Sequence, residues 1–300
     1  LYGKHSAFTR YATEESIRRL NVKDIQAFAR RILRPNGTIL AASGSLPEKD
    51  FREIVEKLFG AWPRQSEPLP GLPLISQKPQ PGIYVLERDF QQASILMGHL
   101  GPPRLTPDIY EMNIYNRILG STGFGSRLFD EIRTQLGLAY DVGGGIAPGV
   151  VQGTVQISLG SRNEGALDAI KRAIEICEDT LKTLPKEAAF LDSKSAVEQS
   201  FAFRFVGAWP GDDRVAQRAA QQELFHYPKE FDDTYLARMA AVTPEMVREV
   251  GRRWVHPQDF ATVIVGNISA EKVAAYFKPQ GIPVYRLEFD TEPKVLGRVN

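Results

Sequence analysis

An arginine and a tyrosine seven positions apart, Arg133 and Tyr140, close the stretch 119–140, which reads LGSTGFGSRLFDEIRTQLGLAY. Arginine offers a permanently charged fork of donors, and tyrosine a neutral phenolic donor. Held at a fixed offset across a helix-to-strand turn, the two can converge on one point, hold a carbonyl and stabilise an oxyanion. The neighbouring residues supply such a turn. Gly120, Gly123 and Gly125 form a glycine loop, Leu128, Phe129 and Ile132 follow on one helical face, and Gly137 stops the helix before a strand-like run. Each residue also has a plainer reading. An arginine near a helix end ordinarily caps carbonyls or faces water, and a tyrosine at a strand start ordinarily packs its ring with the hydroxyl wet.

The other chemistry-bearing residues point to less. The loop GSTGFGSR resembles a phosphate cradle only loosely, because Gly125 is followed by Ser126-Arg127 instead of Lys-Ser/Thr and a helix, not a strand, precedes it. As a helix-to-helix turn, the loop needs glycine for positive φ. The four histidines are His5, His99, His226 and His256. None opens a His-x-x-Glu-His or His-Glu-x-x-His run, and none has a second histidine within a helical turn or two, so each reads as structural. The single cysteine, Cys177, excludes an internal disulfide and lies in the helical pattern of Ala166, Ile170, Ala173, Ile174 and Leu181, as a small buried hydrophobe.

Composition frames the rest. Three hundred residues, 43% hydrophobic and 24% charged, allow two domains with ample core. A net charge of +1 gives no reason to expect nucleic acid as a partner, and no apolar run approaches the roughly 20 residues of a membrane span. Asn21 caps a helix carrying Val22, Ile25, Phe28 and Ile32 on one face; Pro35-Asn36-Gly37 turns; 38–43 reads as a short strand; 47–59 is a second amphipathic helix. Six prolines between 63 and 81 mark an extended linker. Strands are expected over 83–87, 93–100, 141–146 and 151–159, the last alternating Val151, Gly153, Val155, Ile157 and Leu159. Helices are expected from Pro107, after Asn163, after Pro185 and around 214–225. Strands and helices do not alternate one for one, which predicts an α+β layer with a mainly antiparallel sheet.

An internal repeat organises the chain. Residues 20–49 align without a gap onto 242–271, an offset of 222, with Arg30/Arg252, Arg31/Arg253, Pro35/Pro257 and Gly44/Gly266 identical. Apolar positions match as well, among them Ile25/Val247, Phe28/Val250 and Leu46/Ile268. A duplication of this kind predicts the end of a first domain over 1–62, the linker over 63–81 and a second domain over 82–300. It also places the start of the first copy about 140 residues before Leu1. The strand at 38–43 then has no partner, and a lone strand cannot satisfy its own backbone.

The glycine loop followed by Ser126-Arg127-Leu128-Phe129, Ile132-Arg133 and Gly137-Leu138-Ala139-Tyr140 resembles the C-terminal-domain signature of the insulinase/pitrilysin family of zinc peptidases, which includes the mitochondrial processing peptidase. The resemblance implies a duplicated two-domain fold, each domain a mainly antiparallel sheet packed with helices. It implies a zinc held by a His-x-x-Glu-His motif and a later Glu in the first domain, outside this chain, and hence no metal ligand here. Arg133 and Tyr140 then reach the active site of that domain, and Gly120, Gly123 and Gly125 take part in handling substrate. The implied partners are a peptide and either the chain's own N-terminal domain or a zinc-bearing homologous subunit. The implied setting is a bacterial periplasm or cell envelope, with the cytoplasm as the alternative. Some family members lack the zinc motif, so a non-catalytic partner subunit or a peptide-binding module is the competing reading.

Overall fold

The computed structural model describes residues 1–3, 6–66, 68, 71–72, 75, 79–206, 214–289 and 293–300. Within the proline-rich linker of 63–81, residues 67, 69–70, 73–74 and 76–78 lie outside the described residues, as does His5. The helices in chain order are α1 (Glu14–Arg19), α2 (Val22–Ile32), α3 (Glu48–Phe59), α4 (Ile109–Leu119), α5 (Ala166–Lys182), α6 (Glu187–Ser200), α7 (Arg214–Leu224), α8 (Phe231–Ala240), α9 (Pro244–Trp254) and α10 (Ala270–Phe277). The strands are β1 (Gly82–Glu87), β2 (Gln92–Leu100), β3 (Asp141–Ala147), β4 (Thr154–Arg162), β5 (Ala261–Gly266), β6 (Val284–Phe289) and β7 (Pro293–Arg298). No helix among the described residues is long and apolar enough to cross a membrane.

The chain divides into two compact units. One comprises Leu1–Gly3, Ile75–Gln199 and Asp232–Asn300; the other comprises Lys4–Leu74 and Ser200–Phe231. The first unit holds one seven-stranded sheet in the order β3-β4-β2-β5-β1-β6-β7. Four of its ladders are antiparallel, and β1 lies parallel between β5 and β6. This is the expected α+β architecture. Alternation shows that one sheet face carries the core. Ala93, Ile95 and Met97 of β2 and Val155, Ile157 and Leu159 of β4 are buried, while Ser94, Leu96, Gln156 and Ser158 between them are exposed. The expected parity of the 151–159 strand therefore holds, but its start moves to Thr154. Gly153 and Gly149 instead donate their amides to the Pro102 carbonyl, so 149–153 is a turn.

The repeat is visible in the helices. In the first unit, α9 begins 222 residues after α2 and ends 222 after its end, and α10 begins 222 after α3. The caps are local in both copies: the Asn21 side chain accepts from Lys23 and Asp24 amides, and that of Thr243 from the Met246 amide. The copies differ in what covers their apolar faces. Val247 and Val250 are 2% and 3% exposed, whereas their counterparts Ile25 and Phe28 are 61% and 58% exposed. The strand expected over 38–43 is absent too, although its counterpart β5 is paired on both edges. The physical reason is the one the sequence raised: with no neighbouring strand among the described residues to bond, 38–43 has no ladder to join.

Burial fixes one titrating group in the core. His99 is 5% exposed and stacked between the rings of His256 and Phe260. Its Nδ1 lies 2.7 Å from the Leu100 carbonyl, and its Nε2 accepts from the His256 amide at 3.0 Å. A carbonyl on one nitrogen and an N–H on the other define the neutral Nδ1–H tautomer. Burial holds this imidazole below its ordinary value; the Leu100 carbonyl and Asp259 pull the other way, and His256 adds to the lowering. The unfolded chain takes up that proton near pH 6.5 and the folded chain resists it. Stability is therefore expected to fall as pH drops from about 6.5 until the folded-state value is passed, by at most about 1.4 kcal/mol per pH unit from this group. Denaturation midpoints measured from pH 7.5 to 4.5 should fall less steeply in His99→Gln, which cannot charge.

Candidate functional site

The 119–140 stretch is held from below by β3, the edge strand at one end of the sheet. Helix α4 lies against that edge, and the Asn116 side chain clamps it: Oδ1 accepts from the Ile146 amide and Nδ2 donates to the Ile146 carbonyl, both at 2.8 Å. At the end of α4, Gly120 is packed so closely that a Cβ there would sit 2.6 Å from Leu128 Cδ1 and 3.0 Å from the Gly144 nitrogen. The Gly120 carbonyl accepts from the Gly144 amide at 3.0 Å. Gly120 is thus required by close approach. Gly125 takes a φ of +86°, as a turn glycine should. At Gly123 a side chain would meet only ordinary contact with Phe129.

The loop feeds a π-helical segment, Phe129–Gln135. Its apolar face is the one the spacing indicated: Leu128, Phe129 and Ile132 are buried. Its widened turn closes with the Leu136 amide on the Glu131 carbonyl at 3.2 Å, five residues back. Gly137, at φ +61°, ends it, and the Leu138 amide returns to the Ile132 carbonyl at 2.9 Å. The Ser161 hydroxyl donates to the Leu138 carbonyl, and the Tyr140 amide donates to the Gly160 carbonyl at 2.8 Å. These bonds pin the turn between Arg133 and Tyr140 to β4, the strand next to the edge.

Both side chains face outward. Tyr140 is 50% exposed and Arg133 is exposed. Among the described residues, neither the guanidinium nor the phenol has a hydrogen-bond or ion-pair partner. The Arg133 guanidinium carbon instead lies 4.6 Å from the centre of the Phe129 ring. Phe124, the exposed residue between Gly123 and Gly125, packs edge-on to Phe129 at 4.7 Å. Arg133 caps no carbonyl and faces water, one of the two ordinary readings for an arginine near a helix end, whereas the Tyr140 ring is half exposed instead of packed in the core.

The opposite side of the π-helical segment is braced by charge. Arg127 bonds Glu131 at 2.9 Å and Asp179 of α5 at 2.7 Å, and Arg172 of α5 also pairs with Glu131. Burial works against the Arg127 charge, but the bonds and charges of Glu131 and Asp179 outweigh it and hold the guanidinium above its ordinary value. A cleft of about 270 Å³ lies here, walled by Tyr115, Ile118, Asp130, Gln135 and Leu184 among others. Arg133 and Tyr140 are not among its walls, and its acids are already engaged, Glu131 and Asp179 with Arg127 and Asp130 with the Gly125 amide. The unpaired donors, not this cleft, mark the candidate site.

The residues present do not suit a zinc ion. Among the described residues no group of three or more His, Cys, Asp or Glu side chains could hold a metal. Both ring nitrogens of His99 are engaged. Burial pushes the Cys177 thiol up to about 12, so it stays protonated in the core. What sequence reasoning missed is the aromatic support under Arg133. Phe129 was legible only as a core residue; the signal for Phe124 was a large apolar residue between two glycines.

The mostly antiparallel seven-stranded sheet packed with helices is the fold of peptidase M16 C-terminal domains. The family described as "Peptidase M16 inactive domain" matches residues 19–197, and the chain belongs to that family as its C-terminal domain. The match upholds the resemblance to the insulinase/pitrilysin zinc peptidases. Similar proteins include an "uncharacterized zinc protease" of Streptomyces coelicolor, 25% identical over 80% of this chain and 52% of that protein. Another is the "uncharacterized zinc protease YmxG" of Bacillus subtilis, 24% identical over 88% of this chain and 62% of that protein. The chain thus spans between half and two thirds of those relatives. In fold it is similar to the peptidase M16 inactive domain of Pseudomonas fluorescens, with a TM-score of 0.70, covering 85% of this chain and 60% of the other at 24% identity. A protease of Helicobacter pylori gives a TM-score of 0.72 at 17% identity, over 85% of this chain and 61% of the other.

Proposed function

We propose that this chain is the carbonyl- and oxyanion-binding part of a zinc-dependent endopeptidase acting on peptides or unfolded segments. The zinc belongs to residues outside it, on a preceding domain of the same polypeptide or on a homologous subunit. Arg133 holds a substrate carbonyl, and Tyr140 donates its phenolic proton as a hydrogen bond to the oxygen that gains charge when the peptide bond is attacked. The supporting observation is that both heads are exposed and unpartnered among the described residues while the turn that joins them is pinned to β4. A buried network would have consumed them; a purely structural pair would have bonded within the chain. The relatives named zinc proteases are consistent with zinc in the whole enzyme.

The family's description as an inactive domain favours a second reading, in which the chain is a structural or peptide-binding partner with no part in the chemistry. One reconstitution separates them. The chain alone is expected to bind no zinc and cleave nothing. Joined with its zinc-bearing half, it should support peptide cleavage that a chelator abolishes, and Arg133→Ala in this chain should cut that cleavage strongly. Full cleavage with Arg133→Ala would leave only the structural reading.

A further inference from the structure

We propose that Phe129 and Phe124 form a positioning device for Arg133, and that Phe124 is at the same time the contact for an apolar side chain of the substrate. The inference rests on the proposed function and specifies both how its arginine is held and which peptides it favours.

Arg133 is exposed and, among the described residues, has no carboxylate to hold it. What it has is the face of Phe129, 4.6 Å from the guanidinium carbon. That ring is 6% exposed and belongs to the core face with Leu128 and Ile132, so it is a fixed platform. Phe124 closes the platform from the loop, with ring centres 4.7 Å apart and planes at 60°. An edge-to-face pair of this kind is favourable in itself. Phe124 nevertheless leaves 83% of its surface in water. A phenylalanine placed so far out, between Gly123 and Gly125, adds little to the core. Its position beside the one platform under Arg133 gives it another use.

The physics couples the two roles. A cation over an aromatic ring is held weakly when water reaches it and considerably more strongly when water is excluded. An apolar side chain resting on Phe124 covers the Phe124–Phe129 pair and removes water from the neighbourhood of the guanidinium. Arg133 is then held more firmly against Phe129 and bonds the substrate carbonyl in a drier setting, where charge-assisted bonds gain strength. A peptide with a small or charged residue at that position leaves the stack wet and the arginine loosely held. Leu136, 52% exposed and next to the π-helical segment, extends the apolar character of this surface.

The test uses the assembled enzyme, this chain with its zinc-bearing half, carrying Phe124→Ala, Phe129→Leu, Phe129→Tyr or Arg133→Ala. Two peptides differing only in Phe or Ala beside the scissile bond serve as substrates. Phe124→Ala sits on the surface and is expected to raise KM about tenfold for the Phe peptide and less than about twofold for the Ala peptide. Phe129→Leu keeps apolar volume without an aromatic face, and should lower kcat about tenfold on both peptides. It should also move the Arg133 Nε–H resonance, shifted by the ring in the wild type, towards its free-solution position. Phe129→Tyr should restore both readouts. A Phe129→Leu enzyme with an unmoved resonance or wild-type kcat overturns the proposal, as does an equal effect of Phe124→Ala on both peptides. Arg133→Ala separates this failure from that of the parent reading. Wild-type turnover in that variant refutes the proposed function and the stack with it. An impaired Arg133→Ala enzyme beside normal Phe124→Ala and Phe129→Leu enzymes refutes the stack alone.

Discussion

Replacing Tyr140 by Phe is expected to lower kcat of the assembled peptidase about 10²–10³-fold, the scale on which the loss of one oxyanion donor is felt. Stability should hardly change. The hydroxyl has no hydrogen-bond partner among the described residues, and the ring, which Phe keeps, is already half in water. The loss should fall on kcat more than on KM, because the bond strengthens only as charge builds on the attacked carbonyl oxygen. Steady-state kinetics beside a denaturant titration make the comparison directly. A normal denaturation midpoint with a collapsed kcat supports the role. Turnover at the wild-type level removes Tyr140 from the chemistry, and a fall in both would show that the hydroxyl serves the fold.

The residues that made this site legible are those whose effects are local. Leu128, Phe129 and Ile132 announce a buried face by spacing alone, Gly137 announces a stop, and the 222-residue offset reappears in the bounds of α2 and α9. The α+β class followed from the same local reading, since helix faces and strand parity belong to short windows of sequence. The misses involve partners distant in sequence. The strand expected over 38–43 has the same pattern as β5 but lacks the neighbours that make β5 a strand. The turn at 149–153 is set by the carbonyl of Pro102, about fifty residues away, which no window around Val151 contains. The π-helical register of Phe129–Gln135 was hidden for a related reason. Apolar residues at 128, 129 and 132 suit an ordinary helix equally well, and the wider turn becomes visible only with the hydrogen bonds. Gly120 was read as a turn glycine needing positive φ, whereas its φ is −178° and its constraint is the close approach of Leu128 and Gly144.

Asn116 carries the second large expectation, and it ties the fold to the site. On the side of β3 away from β4, its amide satisfies both backbone groups of Ile146, a task that a further strand would otherwise perform. It does so in tight quarters: a Cβ on Gly145 would lie 2.6 Å from Asn116 Oδ1, so position 145 admits no side chain beside the clamp. Asn116→Ala leaves an N–H and a C=O unpaired beside the buried Ile146 side chain, and each such group costs about 1–3 kcal/mol, for an expected loss of about 2–6 kcal/mol. Asn116→Asp is expected to do no better, despite its near-identical shape. One carboxylate oxygen can still accept from the Ile146 amide, but the other faces the Ile146 carbonyl with no proton to offer. Denaturant midpoints measure the loss, and hydrogen exchange at the Ile146 amide locates it; a change below about 0.5 kcal/mol would mean the clamp is dispensable. The consequence reaches the site because Tyr140 is joined to the same strand one residue before it begins. An edge that frays at Ile146 loosens the anchor of the phenol, so the weakened variants should lose kcat together with Ile146 protection, while Tyr140→Phe loses kcat with that protection intact.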